Sequence, residues 1–204
     1  MESKKIIVAG IGTDTGKTVV SAILCEALKA DYWKPIQAGD LENSDSIKVG
    51  GLISNDETVI HPEAYRLETP VSPHAAAEID GIEIDQTKIV IPQTTNHLII
   101  EFAGGLMVPL SKNYLNIDWV AEVDLPVVLV SNYYLGSINH TLLSLQLLES
   151  QNVEVLGLVF NGEKNKSSFD VIMHRSQVPC LLELSRQDQI NSETIREYAQ
   201  RISI

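Results

Sequence analysis

The sequence has 204 residues, of which 44% are hydrophobic and 21% are charged, so we expect a single globular domain over residues 1–204 with a sizeable core. Its formal net charge is −12 at pH 7. This charge argues against a nucleic-acid-binding protein and against docking on anionic lipid, because both functions require a basic surface.

Short apolar runs alternate with segments of helical periodicity along the chain. Buried strands are predicted at residues 6–9, 32–36, 97–102, 125–130, 153–160 and 178–184, and helices at residues 17–29, 137–150 and 192–201. The stretch 41–96 is less regular, and we expect it to form a helix with long loops over the sheet. Unbroken apolar strands separated by helices indicate an α/β fold with a doubly wound, mostly parallel sheet.

The N-terminus and the cysteines favour a reducing compartment. The first five residues lead directly into the first strand without a signal-peptide core, and no apolar run approaches the roughly 20 residues of a membrane span. Cys25 and Cys180 lie among aliphatic residues and form no CxxC pair, which is typical of buried thiols. We therefore expect a cytoplasmic protein.

A glycine-rich loop joins the first predicted strand to the first predicted helix. Residues 10–18 read Gly-Ile-Gly-Thr-Asp-Thr-Gly-Lys-Thr, which indicates a fold of the P-loop NTPase type. Lys17 is expected to bridge the β- and γ-phosphates of a nucleotide, and the Thr18 hydroxyl to ligate Mg²⁺. The usual pattern places its first glycine at position 11, which is isoleucine here, so a chance glycine-rich turn is the alternative.

Three further polar residues lie at or after the ends of apolar strand runs, at the edge of the sheet where ligands bind in open α/β folds. Glu101 ends an apolar run and is a candidate Mg²⁺ ligand, unless it is a solvated strand-end acid. Asp45 is a second candidate ligand, with a helix N-cap as the alternative. Lys34 could place a second cation near the γ-phosphate, unless it is an ordinary surface lysine.

Several short motifs follow one another along the chain. They are Gly10 to Thr18, Lys-Pro-Ile-Gln-Ala-Gly at 34–39, Asn-Ser-Asp at 43–45, Pro-Val-Ser-Pro-His at 70–74, Glu-Phe-Ala-Gly-Gly at 101–105, Pro-Leu at 109–110, Leu-Gly-Ser-Ile-Asn-His at 135–140, and Asn161. Together, and in this order, they resemble the dethiobiotin synthetase family. The resemblance covers most of the chain, to about Leu182. The P-loop alone is shared by many families, whereas the other segments are much more specific.

The resemblance implies an ATP- and Mg²⁺-dependent ring closure. In that family 7,8-diaminononanoate captures CO₂ (from bicarbonate) as a carbamate, ATP phosphorylates the carbamate to a carbamic–phosphoric anhydride, and the second amine closes the cyclic urea of dethiobiotin. The family is homodimeric, and a loop of one subunit reaches across the interface to the substrate carboxylate. Proton transfer by His74 or His140 is not expected.

The family's residue roles carry over position by position. The implied catalytic residues are Lys17, Lys34, Thr13 and Asp14. The implied Mg²⁺ ligands are Thr18, Asp45 and Glu101. The implied nucleotide-binding residues are Gly12, Thr13, Asp14, Thr15, Gly16, Lys17, Thr18, Val19, Asn161, Pro179, Cys180 and Leu181. The implied substrate-binding residues are Lys34, Ala38, Pro73, Gly104, Gly136, Ser137, Ile138 and Asn139, the last four forming the loop that crosses the dimer interface.

The sequence departs from the family pattern at two positions. Ala38 stands where the family commonly has serine or threonine, so a hydroxyl contact with the substrate is lost. Asp14 is one methylene shorter than the glutamate often found there.

Three alternatives to a dethiobiotin synthetase remain open from the sequence. One is a partner-regulated P-loop ATPase of the partitioning type, although those proteins usually carry a second lysine early in the loop, where this chain has Gly-Ile-Gly at 10–12. Another is a related amidoligase of cofactor synthesis. The last is a catalytically weak homologue that serves as a binding or structural dimer.

Overall fold

The computed structural model describes residues 3–187 and 189–204. Its strands are β1 (Lys5–Gly10), β2 (Asp31–Trp33), β3 (Ile36–Ala38), β4 (Ile60–His61), β5 (Tyr65–Leu67), β6 (Leu98–Gly105), β7 (Pro109–Ser111), β8 (Tyr114–Leu115), β9 (Val127–Asn132), β10 (Val155–Asn161) and β11 (Cys180–Leu184). Its α-helices are α1 (Lys17–Leu28), α2 (Asp45–Leu52), α3 (Pro73–Asp80), α4 (Asn116–Val123), α5 (Ser137–Ser150), α6 (Lys166–Ser176) and α7 (Ser192–Ala199).

The central sheet has seven strands in the order β11-β10-β9-β1-β6-β2-β4, and every neighbouring pair is parallel. Because alternate residues of a strand face opposite sides, each buried strand contributes to two cores. Ile6 and Val8 of β1 pack with α1, α2 and α7, whereas Ile7 and Ala9 pack on the side of α3, α4, α5 and α6. The predicted doubly wound α/β fold is confirmed.

The predicted strand 32–36 is wrong as a single element. β2 ends at Trp33, and β3 begins at Ile36 in a separate two-stranded sheet with β5. Pro35 between them has no backbone N–H for the ladder of the main sheet. The break places Lys34 at the carboxyl edge of the central sheet, next to β6 and Glu101.

The segment 41–96 contains more regular structure than one helix with loops. It forms α2, α3, two short 3-10 helices and the strands β4 and β5, and β4 adds the seventh strand to the central sheet. The helices α4 and α6 are also additions to the elements predicted from the sequence. Among the described residues, no helix is both long enough and apolar enough to cross a membrane.

Candidate active site

The loop between β1 and α1 wraps tightly at the carboxyl edge of the sheet. Gly16 has φ +97°, and a Cβ built on it would lie 2.3 Å from Asn161 Nδ2. That amide donates a hydrogen bond of 3.0 Å to the Thr15 carbonyl oxygen. A side chain at position 16 would therefore be strained in its backbone and would displace the neighbouring strand end. The loop is held in one shape by α1 and by β10 together.

Lys17 is buried at the first position of α1 and turns back over this loop. Its Nζ donates a hydrogen bond of 2.9 Å to the Gly12 carbonyl oxygen, and only 7% of the residue is exposed. Burial lowers the pKa of Lys17, since desolvation penalises the charged ammonium, and the nearby Glu101 carboxylate opposes that shift. A phosphate anion beside this ammonium would favour its charged form in the same way.

Glu101 lies on β6 at the centre of a buried polar cluster. One carboxylate oxygen accepts a hydrogen bond of 2.9 Å from Thr18 Oγ1, and the other accepts one of 2.9 Å from the Tyr32 hydroxyl. Lys34 Nζ lies 3.9 Å from Glu101 Oε1 and forms an ion pair with Asp45 Oδ2. Burial, followed by the Glu101 charge, raises the pKa of Tyr32. Glu101 and Lys34 are both buried, which rules out a solvated strand-end acid and a surface lysine.

Asp45 begins α2 but does not cap it. Ser44 is the N-cap, and its side chain accepts the Ile47 N–H at 3.4 Å. The Asp45 carboxylate instead meets Lys34 and also Lys48, whose Nζ is 3.6 Å from Asp45 Oδ1. Burial would raise the pKa of Asp45, but the two ammonium groups hold it below its ordinary value.

Two carboxylates and one hydroxyl converge here. They belong to Glu101, Asp45 and Thr18, and Lys34 Nζ lies between the two acids. No cluster of three or more His, Cys, Asp or Glu side chains suited to a metal occurs within residues 3–187 and 189–204. Mg²⁺ typically uses one or two carboxylates, waters and substrate phosphates, so this donor set fits a nucleotide-bound Mg²⁺.

A cavity of about 670 Å³ connects the loop and the acidic pair with residues from three other segments. The predicted residues that line it are Thr13, Asp14, Thr15, Gly16, Lys17, Thr18, Lys34, Ala38, Asp45, Pro73, Glu101 and Gly104. One wall is fixed by a close backbone approach, because Gly39 has φ +71° and a Cβ there would lie 2.4 Å from the Pro70 Cβ. The structure thus gathers most of the predicted site in one place.

A second cavity, of about 480 Å³, adjoins the first through Asp14, which lines both. Of the predicted nucleotide-binding residues, Asp14, Val19 and Asn161 line it. Pro179, Cys180 and Leu181 do not line either cavity. They lie at the start of β11, and its other end supplies Leu184, Ser185, Arg186 and Gln187 to the wall. Because parallel strands present ligand-binding residues at their carboxyl ends, this end of β11 is a further candidate for base contacts, and the base-contacting role of residues 179–181 stays a prediction.

The predicted loop Gly136, Ser137, Ile138 and Asn139 lies apart from the first cavity. It begins α5, and Gly136, Ile138 and Asn139 line a third cavity of about 980 Å³. Leu135, just before it, has a relative exposure of 104%, so its side chain projects into solvent. Within one chain this loop does not reach the residues around Lys34.

Three residues of the site were missed by sequence reasoning. They are Tyr32, which binds Glu101; Gln37, whose Oε1 accepts the Asp45 N–H at 3.3 Å; and Lys48, which lines the first cavity. Lys48 had a detectable signal, because it lies three residues after Asp45 on one helix. Gln37 and Tyr32 had none, since their roles depend on contacts between distant segments.

Comparison with known proteins identifies relatives over nearly the whole chain. Residues 4–194 match a family described as an AAA domain. The chain is 49% identical to the ATP-dependent dethiobiotin synthetase BioD of Christiangramia forsetii, with 97% of this chain and 95% of that protein covered. It is 48% identical to the protein of the same name from Cytophaga hutchinsonii, with 98% and 97% covered.

Solved structures with a similar fold are more distant in sequence. A ParA family ATPase from Chlorobium tepidum matches with a TM-score of 0.60 at 12% identity, covering 98% of this chain and 99% of that chain. The cell division ATPase MinD from Pyrococcus furiosus matches with a TM-score of 0.57 at 15% identity, covering 98% of both. These likenesses support the fold alone.

Proposed function

The chain belongs to the family of ATP-dependent dethiobiotin synthetases, which are ligases of biotin biosynthesis that form C–N bonds, and from this premise we propose how its site carries out the reaction. The observation that carries the proposal is the 670 Å³ cavity. It places Lys17, Lys34 and the acidic pair beside Ala38, Pro73 and Gly104, the positions expected to hold the substrate.

The proposed reaction has three steps on 7,8-diaminononanoate. One amine adds to CO₂ and loses a proton, which gives a carbamate. A carbamate oxygen then attacks the γ-phosphorus of ATP, the bond to the β-phosphate oxygen breaks, and ADP leaves. Finally the second amine attacks the carbonyl carbon of the carbamic–phosphoric anhydride, a proton is lost, and phosphate departs as the ring of dethiobiotin closes.

The residues that line the first cavity are suited to stabilise the negative charge on the phosphate and carbamate oxygens in these steps. Lys17 neutralises the β- and γ-phosphates, and the loop amides from Gly12 to Gly16 hold the phosphate oxygens. Thr13 and Asp14 lie at the cavity wall and orient the amines. Lys34, which pairs with Asp45, supplies positive charge to the carbamate and the transferring phosphoryl group.

Thr18, Asp45 and Glu101 would hold Mg²⁺. Bound there with the nucleotide, Mg²⁺ supplies positive charge to the phosphate oxygens. The hydrogen bond of the Tyr32 hydroxyl fixes the orientation of the Glu101 carboxylate, and Gln37 fixes the start of α2.

We further propose that the active form is a homodimer with the substrate site at the interface. The loop Gly136–Asn139 would reach the partner's first cavity and bind the distant carboxylate of the diamine, since the exposed N–H groups at the start of α5 suit an anion. Exposed apolar side chains near it, including Met107, Leu135 and Leu143, are suited to burial in such an interface. The cytoplasmic location stays a prediction.

The function is tested by phosphate release from ATP and Mg²⁺, with and without 7,8-diaminononanoate and bicarbonate. We expect release that depends on the diamine, with dethiobiotin detected by mass, and no such release from Lys17→Ala. Release that ignores the diamine would instead favour a partner-regulated ATPase or an amidoligase with another substrate.

A further inference from the structure

Two asparagines stand side by side at the carboxyl edge of the sheet. Asn132 ends β9, Asn161 ends β10, and the two residues are direct partners in the parallel register. Paired residues of neighbouring strands project from the same face of a sheet, about 4.8 Å apart. Here that face is the one covered by α1 and α7, because Val130 and Val159, two residues earlier, pack in that core. Both asparagines line the 480 Å³ cavity.

The carbonyl oxygen of the Asn132 side chain is one of six buried side-chain polar atoms without a hydrogen-bond partner in the described parts of the chain. An unpaired buried acceptor is costly, and in a native protein it commonly marks a place where a ligand completes the hydrogen bonding. Asn132 is not one of the residues implied by the family resemblance, and it lies beside one that is.

The hydrogen bonding of Asn161 fixes which of its atoms remains for a ligand. Its Nδ2 donates to the Thr15 carbonyl oxygen at 3.0 Å. Nδ2 keeps one further hydrogen, whereas Oδ1 accepts no hydrogen bond from the described residues and is the acceptor that this side chain offers a ligand. The two neighbouring side chains thus offer two carbonyl oxygens, and a group that satisfies both must carry two hydrogens.

We propose that Asn132 is a base-selecting residue: its Oδ1 and that of Asn161 each accept one hydrogen of the exocyclic amino group of the adenine of ATP. The inference rests on the proposed function, because a nucleotide whose phosphates lie on the loop at Lys17 directs its base into the adjoining cavity. A base with a carbonyl oxygen at the same position brings a third acceptor and leaves Asn132 Oδ1 unsatisfied. Sites built to bind an N–H group reject analogues that lack it.

Inosine triphosphate is the probe, because its base has an oxygen where adenine has the amino group. Affinities for ATP and for inosine triphosphate are measured by calorimetry with Mg²⁺, without the diamine or bicarbonate, on the wild type and on Asn132→Leu. We expect the wild type to prefer ATP, and Asn132→Leu to lose about 10- to 100-fold in affinity for ATP while its affinity for inosine triphosphate changes less than about threefold.

Two further variants separate hydrogen bonding from packing. Asn132→Asp keeps an acceptor oxygen at this position and should keep the preference for ATP, even if its overall affinity falls. Asn113→Leu, at an exposed residue between β7 and β8, should behave as wild type. Because Asn132→Leu removes an unpaired buried oxygen, its melting temperature should equal or exceed that of the wild type.

Three outcomes would each overturn the assignment. The wild type could show no preference for ATP, Asn132→Leu could keep the wild-type preference, or Asn132→Leu and Asn132→Asp could lose the preference equally. Dethiobiotin formation is measured on the same preparations. If the wild type forms none but selects ATP through Asn132, the proposed function fails and the role of Asn132 stands. If the wild type forms dethiobiotin but binds ATP and inosine triphosphate equally, the proposed function stands and the role of Asn132 fails.

Discussion

At the scale of single residues, the site depends on two buried lysines. If either ammonium group is removed, no cation from the solvent can take its place. Lys17 and Lys34 are both buried beside Glu101. We expect Lys17→Ala and Lys34→Ala each to lower kcat by on the order of 10²–10³, the typical loss for one preorganised charge. Lys29→Ala, at an exposed lysine paired with Glu57, serves as the control in the steady-state assay. Near-normal turnover in either site variant would remove its assigned role.

Ala38 lines the first cavity where the family commonly carries a hydroxyl. Restoring that group should add one hydrogen bond to the substrate, so Ala38→Ser should lower KM for the diamine by up to about tenfold with kcat nearly unchanged. Ala38→Val, which adds volume without a hydroxyl, is the matched control and should raise KM. A serine variant with the same or a higher KM would mean that the chain holds its substrate without this contact.

At the scale of elements, Asp31 links β2 to neighbouring segments by hydrogen bonds. It lies at the amino edge of the central sheet, opposite the carboxyl edge that carries the site. This residue opens β2, and its carboxylate accepts hydrogen bonds from Val59 N at 3.0 Å, Thr94 Oγ1 at 2.6 Å and Asn96 Nδ2 at 3.1 Å. His61 Nε2 of β4 lies 3.1 Å from Asp31 Oδ2. Burial would raise the pKa of Asp31, but these hydrogen bonds hold it below its ordinary value.

A depressed carboxylate pKa adds stability above the unfolded-state pKa, near 3.9, and the gain disappears as the pH falls through the lower folded-state pKa. We expect Asp31→Asn to lower the free energy of unfolding by about 1–3 kcal/mol at pH 7, and the difference from wild type to shrink below about pH 4. Urea unfolding at both pH values measures this, with the exposed Asp56→Asn as control. A difference that stays constant with pH would contradict a role for the charged form.

The elements that the sequence predicted well are those with a strong local signal. β1, β6, β9 and β10 are apolar because both faces of the sheet are covered, and the loop before α1 has a recognisable glycine pattern. β4 and β5 are only two and three residues long, and their pairing depends on segments far away in the chain. The helix α6 buries only Ile172, so its apolar periodicity was too weak to detect.

The same contrast holds within the site. Lys17, Thr18 and Asp45 lie in the first turns of helices and Glu101 ends an apolar run within a strand, so their convergence could be anticipated. The wall beyond β11 was not anticipated, although the predicted strand 178–184 and β11 both end at Leu184, because the base-contacting role was carried over to residues 179–181 at the start of this strand. The role of Asn132 also required the structure, since only the register of β9 against β10 brings it beside Asn161.

At the scale of the whole molecule, the proposed homodimer with a shared site predicts complementation between two defective subunits. Asn139→Ala should mainly raise KM for the diamine, and Lys17→Ala should lower kcat by on the order of 10²–10³. In a mixed dimer of the two, one site combines an intact Lys17 with an intact loop from its partner. We expect differently tagged, co-purified mixed dimers to recover about half of wild-type activity at low diamine concentration. Mixed dimers no more active than the average of their parents would place the loop within its own subunit's site.

The strand order also has a consequence for how the protein is made. β1 precedes both of its neighbours in the central sheet, β6 and β9, in the chain. Those neighbours begin at Leu98 and Val127, so the strand that carries the phosphate loop has no strand to pair with until β6 has been synthesised. Contacts so distant in sequence form slowly, and the apolar first strand stays exposed in the meantime. We therefore expect the apolar β1 to need protection in the nascent chain until β6 and β9 have emerged, so slowing translation before residue 127 should lower the yield of folded protein.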